Sequence, residues 1–534
     1  KFVCDYRDSH REDRRQRQMW IRDSGLDDVE AAIRILNDLA PDRTVTIDTV
    51  THNPQQVGER LFAFINLALT VQNTVTVQNT VTVQITVGAN HRSRLIIGPN
   101  PTEQGAHMSD LVRRTVEAGH MVIWEEVARD GAQAETLLNG EQRVKIARAT
   151  GEIFGAHGPD HVVFAAGYPS ICKEEFEAVR QVVAEVDNVQ LATHGRVTQG
   201  DIDLGIQALR GARYGGVTYA IPASYRHAGW FMHGPKEEAR QRGVEMARYA
   251  VDKANGLAVD VALGSAPRVE PGFLAEMVVR LSEEGISICK ICDSTGELFP
   301  LEATRLFQGV MAALPPELRG RVVVGAHLHN DFGFGLANNL EAARLGVRVL
   351  STSWLGLGER AGLAPTEQVI FALSQMGDSS DPLQAEAAQE VPGRAARLGI
   401  AGPIWFSEPD LTRLVPVARM VAEFTGVQIR GTEPVVGTHM NHVATGAYFN
   451  NPVAFKPFDP QVLLGVPPKL LLSHLANHSI VEAVAASLGY TLTREQCAQA
   501  LAWVKTTAYN QGRSLVSHDA FLEYLAVQAT AKEM

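Results

Sequence analysis

The sequence predicts an α/β chain: a (β/α)8 barrel followed by a mainly helical C-terminal subdomain and preceded by a small α/β region. Eight short apolar runs follow residue 120, amphipathic segments separate them, and together they span about 250 residues, the usual length of such a barrel. This alternation is typical of right-handed βαβ units and a parallel sheet. A doubly wound sheet is the rival, but its GxGxxG fingerprint follows a first strand, whereas GFGLAN here follows the seventh run.

The eight predicted strands are named here by their sequence and first residue. They are MVIWEE at 121, HVVFAAG at 161, VQLATHG at 189, GGVTYAIPAS at 215, GLAVDVALGSA at 256, SICKICD at 287, RVVVGAHLHND at 321 and VRVLSTSW at 347. Helical spacing lies between them, for example in GEQRVKIARATGEIFG and KEEFEAVRQVVAEV. Cys289 and Cys292 form a CxxC within the sixth run, and its apolar character indicates a buried strand rather than a redox or zinc site.

Two segments precede the predicted barrel. Residues 1–24 contain an Arg- and Gln-rich run without a hydrophobic period, which predicts a disordered segment and also resembles translated adapter sequence. Residues 25–118 form a predicted α/β region, with helical spacing at 27–39 and strand character at 44–50. Residues 70–87 repeat a six-residue unit with strict β alternation. A single strand of that length would reach about 60 Å, so the repeat must fold back, extend outward or be a tandem-repeat artefact.

Composition and charge narrow the function classes. The net charge of -11 argues against a nucleic-acid partner. No apolar run approaches the roughly 20 residues that span a bilayer, so no membrane partner is expected, and no secretory signal is visible. The five cysteines are scattered and odd in number, which fits a reducing compartment. We therefore expect a cytoplasmic enzyme with a barrel domain at 119–380 and a mainly helical subdomain at 381–534.

The seventh strand carries a candidate metal motif. His327 and His329 are two residues apart on a strand, so their imidazoles project to the same side. Asp130, at the end of the first strand, offers a third ligand, and a carboxylate with two histidines leaves coordination positions open for water or substrate. The plainer interpretation is that the HxH is incidental and that Arg129 and Asp130 are a pair in a surface turn.

Several motifs occur together at the predicted strand ends. They are RDGAQ, IPASYRH, ICDSTG, HLHNDFGFGLANN and GLGERAG. With NNPVAFKPFDP after the barrel, the set resembles the condensing enzymes that join an acyl-CoA to a 2-oxoacid: isopropylmalate, homocitrate, citramalate and Re-type citrate synthases. These belong to a metal-dependent barrel superfamily that also holds hydroxymethylglutaryl-CoA lyase. The resemblance covers roughly residues 120–534.

The resemblance implies a reaction and its cofactors. A divalent metal (Mg, Mn or Zn) is expected on Asp130, His327 and His329, where it polarises the keto group of a 2-oxoacid. Acetyl-CoA is the expected cosubstrate, and Arg129 is expected to stabilise the enolate or oxyanion. The helical subdomain implies a homodimer, because in the family it reaches over a partner's active site.

The remaining site residues follow from the same resemblance. Glu359 is a catalytic candidate, although a structural ion pair with Arg360 is an equal alternative. His439 and His442 are candidates for the catalytic histidine that follows the barrel in this family. The residues expected to bind substrate are Gln133, Arg196, His227, Asn330 and Arg360.

The chain also departs from the family pattern. Leu363 replaces an Asn ligand of the isopropylmalate branch, and Gly264 with Ser265 replaces a Glu-Asp pair on strand five. Ala165 and Ala444 stand where the family has a Glu and a catalytic His. These differences keep two alternatives open: a carbon–carbon lyase or aldolase on the same metal, and a barrel that has lost its catalytic activity.

Overall fold

The computed structural model describes residues 2–7, 18–21, 44–48, 81–87, 91–97, 108–133, 135–224, 236–318, 321–376 and 403–530. The chain divides into two compact units, Lys1–Ala106 and His107–Met534. None of the helices in these ranges combines the length and the apolar character needed to cross a membrane.

The first unit contains a five-stranded sheet. Its strands, in spatial order, are Gln18–Ile21, Phe2–Arg7, Thr44–Asp48, Val81–Val87 and His91–Ile97. The sequence predicted disorder over 1–24, yet Phe2–Arg7 pairs along its backbone with a strand on either side. This pairing uses backbone N–H and C=O groups, so it does not require a hydrophobic period in the sequence. The end of the repeat forms the strand Val81–Val87, which pairs antiparallel with His91–Ile97. The predicted helix at 27–39 and the start of the repeat lie outside the described residues.

The second unit contains a closed barrel of eight parallel strands, which confirms the predicted fold class. We label the strands β1 (Val122–Glu125), β2 (Val162–Gly167), β3 (Gln190–Arg196), β4 (Gly215–Pro222), β5 (Ala258–Gly264), β6 (Ile288–Asp293), β7 (Val323–Leu328) and β8 (Val349–Thr352). Neighbours in the barrel are neighbours in sequence, and β8 pairs with β1 to close it. Cys289 and Cys292 are buried on β6, as the apolar run predicted.

A helix follows each barrel strand. These helices are α1 (Gly140–Glu152), α2 (Lys173–Glu185), α3 (Gln199–Ala208), α4 (Lys236–Lys253), α5 (Pro271–Glu283), α6 (Pro300–Ala313), α7 (Gly335–Arg344) and α8 (Thr366–Met376). Their starts follow ordinary capping chemistry. At α1, Asn139 and Gln142 form a capping box, in which each side chain accepts a hydrogen bond from the other's backbone N–H. At α5 and α6, a proline occupies the first turn, where its missing N–H costs nothing.

The N-terminal end of the barrel is plugged by a helix, Met108–Glu117. Met108 and Val112 are fully buried there and pack with inward-facing barrel residues such as Val122 and Trp124. The compact unit that holds the barrel begins at His107, whereas the predicted barrel domain began at 119. This end is filled with apolar side chains, and the polar candidate residues lie at the opposite end of the barrel.

The chain after the barrel is mainly helical. Its longer helices are Leu414–Thr425, His478–Ser487, Arg494–Asn510 and His518–Thr530; its short helices are Gly446–Asn450, Pro452–Phe455 and Pro460–Leu464. Two short strand pairs accompany them: His442–Val443 with Lys469–Leu470, and Leu472–Ser473 with Leu515–Val516. The first long helix packs into the barrel core through residues such as Val417 and Val421, whereas the other three share a separate hydrophobic cluster.

We predict that Met108→Ala destabilises the barrel unit by about 2–4 kcal/mol, because the truncation leaves a cavity in a closed apolar plug. Met108 is fully buried, and its methyl group lies directly against Gly216 of β4. The free energy of unfolding would be measured by urea titration with tryptophan fluorescence. Leu301→Ala on α6, where the side chain is 61% exposed, is the matched control; an equal loss in both variants would contradict the plug.

Candidate metal centre

The strand ends β1 and β7 bring three candidate ligands together. The chain leaves β1 in a turn in which the backbone N–H groups of Arg129 and Asp130 both donate to the Glu126 carbonyl. This turn directs Asp130 towards the barrel axis. His327 lies in β7, and His329 is the first residue after the end of that strand. The side chains of Asp130, His327 and His329 are all buried.

The three side chains converge on one point. His327 Nε2 lies 3.6 Å from Asp130 Oδ2, and His329 Nε2 lies 3.9 Å from the same oxygen. One ligand atom from each residue can be chosen so that all lie within 4.8 Å of one another. A bound divalent ion with ligands at about 2.0–2.2 Å would bring the atoms of a facial set to about 3 Å apart. The donor set therefore fits a divalent ion once the ligand atoms move about 1–2 Å closer together.

The charges around the cluster favour its metal-binding form. Burial opposes ionisation of Asp130, but the charges of Arg129 and the two histidines hold its pKa below the usual range. Burial, and then the neighbouring His327, lower the pKa of His329 to about 4, so that imidazole is neutral at pH 7. A neutral imidazole and an ionised carboxylate are the forms that coordinate a metal.

Arg129 is fixed beside the cluster rather than free in solvent. Its Nε donates to Glu126 Oε2 at 2.8 Å, and one terminal nitrogen lies 3.0 Å from Asp130 Oδ2. The same nitrogen donates to Gln133 Oε1 at 3.0 Å. The Arg129–Asp130 pair is therefore buried at the strand end, and the interpretation as an exposed surface turn is wrong.

The loop after β8 closes over Asp130. The Glu359 backbone N–H donates to Asp130 Oδ1 at 2.9 Å, which leaves Oδ2 facing the histidines. Gly358 allows this approach, because a Cβ there would come within 2.7 Å of the same carboxylate oxygen. The Glu359 side chain pairs with Arg360 at 3.1 Å, so the ion pair that the sequence left as an alternative is present. Arg360 also binds Asp331, through Nε to Oδ1 at 2.9 Å.

A cavity of about 910 Å³ opens above the cluster at the C-terminal ends of the strands. Its wall contains most of the predicted site residues: Arg129, Asp130, Gln133, Arg196, His327, His329, Glu359 and Arg360. Arg196 is held there by Asp201, with Nε to Oδ2 at 2.9 Å. Apolar and small residues such as Ile221, Phe332 and Gly264 complete the wall. This is the arrangement expected of a pocket for a small anionic substrate.

Four predicted residues are not among the described residues of this wall. Asn330 is not in the cavity wall; its Oδ1 accepts the backbone N–H of Gly335 at 2.8 Å and so stabilises the start of α7. His439 and His442 stack on each other with ring centroids 4.8 Å apart and are also outside the described wall. His227 lies outside the described residues. The roles proposed for these four residues stay predictions.

The structure adds residues that the sequence reasoning missed. Glu126, Lys290 and His194 lie inside the barrel near the cluster, and the last two line the cavity. A signal was available for Lys290, since a lysine within the apolar run SICKICD is rarely buried without a partner. Glu126 is less clearly indicated by the sequence, because three of its four partners come from strands that lie far away in sequence.

Comparison with known proteins agrees with this geometry. Residues 121–391 match the family model described as HMGL-like. The 2-isopropylmalate synthase 1 of Caldanaerobacter subterraneus is 25% identical over 75% of this chain and 93% of its own length. Homocitrate synthase AksA of Methanopyrus kandleri is 26% identical over 75% and 91%. The 2-isopropylmalate synthase of Sulfurisphaera tokodaii is 26% identical over 79% and 98%.

We predict that His327→Ala and His329→Ala each weaken Mn²⁺ binding by at least about tenfold, because each removes one of three convergent ligands. Binding would be measured by isothermal titration calorimetry on protein stripped with a chelator. His474→Ala, in the C-terminal helical region, is the matched control. An equal loss in the control, or retained affinity in both ligand variants, would show that the ion binds elsewhere.

Proposed function

Since this chain belongs to the HMGL-like family, we propose that it catalyses a Claisen-type condensation of an acyl-CoA, in the first instance acetyl-CoA, with a 2-oxoacid. Water then hydrolyses the thioester of the condensed product, which gives a 2-hydroxy di- or tricarboxylic acid and CoA, as in 2-isopropylmalate and homocitrate synthases. The observation that carries the proposal is the buried Asp130, His327 and His329 cluster facing the cavity with Arg129 beside it. A cytoplasmic location and a homodimer are part of the same proposal.

The cavity residues have separable tasks in this reaction. A divalent ion on Asp130, His327 and His329 supplies a Lewis acid for the keto group of the oxoacid. Arg129 carries a permanent charge that Glu126 and Asp130 hold in place, so it stabilises developing negative charge without reorganising. Arg196 and Arg360 line the same wall and attract the carboxylates of the oxoacid.

Carbon–carbon bond formation requires a group that accepts a proton from the acyl-CoA methyl carbon. Glu359 is the carboxylate in the cavity wall that we assign to this task, with Arg360 holding it in position. His439 and His442 stay candidates for the same task from outside the described wall. Glu359→Gln keeps the size of the side chain and removes its basicity. A large fall in kcat would support Glu359 as the proton acceptor, whereas an unchanged kcat would favour His439 or His442.

We predict oxoacid-dependent release of CoA from acetyl-CoA. The release would be followed with a thiol reagent over a panel of pyruvate, 2-oxoisovalerate, 2-oxoglutarate and oxaloacetate, with Mg²⁺ or Mn²⁺ and with a chelator. Asp130→Asn should lower kcat/KM by at least about 10²-fold, because it weakens the metal centre. Thiol release that does not depend on the oxoacid would indicate simple thioester hydrolysis.

Two results would overturn the assignment of this chain as an acetyl-CoA condensing enzyme. One is no CoA release across the panel from folded protein that holds a metal, which would favour a barrel without catalytic activity or another acyl donor. The other is cleavage of hydroxymethylglutaryl-CoA at a higher kcat/KM than any condensation, which would favour the lyase alternative.

A further inference from the structure

Directly beneath the metal cluster, a fully buried carboxylate contacts both a ligand and the fixed arginine. We infer that Glu126 is a positioning residue for the metal centre, which orients His327 and Arg129, and that Lys290 is its structural counter-ion. The inference rests on the metal centre of the proposed function, but it concerns how this chain's own residues hold that centre. It does not depend on which acyl-CoA or oxoacid is used.

Glu126 contacts four buried residues, one from the turn after β1 and one from each of the strands β6, β7 and β8. Oε2 accepts from Arg129 Nε at 2.8 Å. Oε1 accepts from Ser351 Oγ of β8 at 3.3 Å and lies 3.5 Å from His327 Nδ1 and 3.9 Å from Lys290 Nζ. The side chain is 0% exposed, so no water competes for these contacts. One carboxylate therefore links β1 to β6, β7 and β8 beneath the cluster.

The orientation of His327 points to the role of Glu126. Its Nδ1 faces Glu126 and its Nε2 faces Asp130, so the two ring nitrogens have different partners. A carboxylate on one imidazole nitrogen holds the proton there, leaves the other nitrogen bare for a metal and raises its basicity. His329 offers a contrast, because its Nδ1 is buried with no hydrogen-bond partner among the described residues. Glu126 thus preorganises one of the two histidines.

Lys290 places a positive charge near the buried carboxylate of Glu126. Its Nζ lies 3.6 Å from the ring centroid of Trp124 in β1, and the side chain is 2% exposed. Arg129 is shared between Glu126 and Asp130, so it does not fully offset both carboxylates. A buried charge without compensation is strongly destabilising. Lys290 therefore stabilises the fold around Glu126 without contacting any of the three ligands, which gives the two residues distinguishable effects.

The test compares Glu126→Gln, Lys290→Met and the double variant in full-length protein. Glu126→Gln keeps the size but removes the charge that orients His327, so Mn²⁺ affinity should fall by about 10–100-fold. Lys290→Met removes a nearby positive charge and leaves Glu126 on His327, so Mn²⁺ should bind at least as tightly as in the unmodified protein. The melting temperature of Lys290→Met should fall, because Glu126 loses a counter-ion. The double variant should recover part of the lost melting temperature, and it should bind Mn²⁺ as weakly as Glu126→Gln does.

The outcomes separate positioning from a merely structural role. Unchanged Mn²⁺ affinity in Glu126→Gln overturns the inference, as do equal losses of affinity in both single variants. If Lys290→Met does not fold, the double variant decides. A folded double variant supports Lys290 as the counter-ion of Glu126, whereas a double variant that does not fold assigns Lys290 to the buried Asp260, whose charge it also offsets, and overturns that part of the inference. If the unmodified protein binds Mn²⁺ but releases no CoA, the proposed function fails. The Mn²⁺ affinities and melting temperatures of the Glu126 and Lys290 variants still test the positioning role in that case.

Discussion

The pairing of β8 with β1 is the constraint on which the site depends. Thr352 lies beside Glu125 on one edge of β8, and Ser351 lies beside His327 on the other. This ladder brings the turn that carries Asp130 next to the histidines of β7, although the two segments are far apart in sequence. The helix Met108–Glu117 fills the opposite end with apolar side chains, so the polar residues share one cavity. Barrel closure thus brings the three candidate ligands to one point.

Barrel closure also buries carboxylates, which is unfavourable unless positive charges lie beside them. Arg129 and Lys290 provide those charges. Two carboxylates, Glu126 and Asp130, are buried and both pair with the Arg129 guanidinium. Burial opposes the ionised form, but the charges of Arg129 and Lys290 hold the pKa of Glu126 well below its usual range. Isolated buried charges would destabilise the barrel, whereas this network orients a ligand and an arginine at the same time. Stability and preorganisation therefore come from the same contacts.

Much of this arrangement can be predicted from the sequence, because it depends on local patterns. Eight apolar runs at regular spacing specify the barrel, and the i, i+2 rule places His327 and His329 on one side of a strand. What escapes prediction depends on partners distant in sequence. Asn330 comes directly after the two histidines but stabilises the start of α7. An asparagine side chain suits both substrate binding and helix capping, so the sequence does not distinguish the two roles. The Glu126–Lys290 pair joins β1 to β6, and the stacking of His439 on His442 depends on the path of the chain after the barrel.

The central claim is that one divalent ion is bound between the ends of β1 and β7. The most direct measurement is anomalous diffraction from crystals grown with Mn²⁺, with data collected above and below the manganese edge. We expect a single strong anomalous peak within about 2.2 Å of an Asp130 carboxylate oxygen, His327 Nε2 and His329 Nε2. A peak elsewhere in the cavity, or no peak with these three side chains in their present positions, would contradict it.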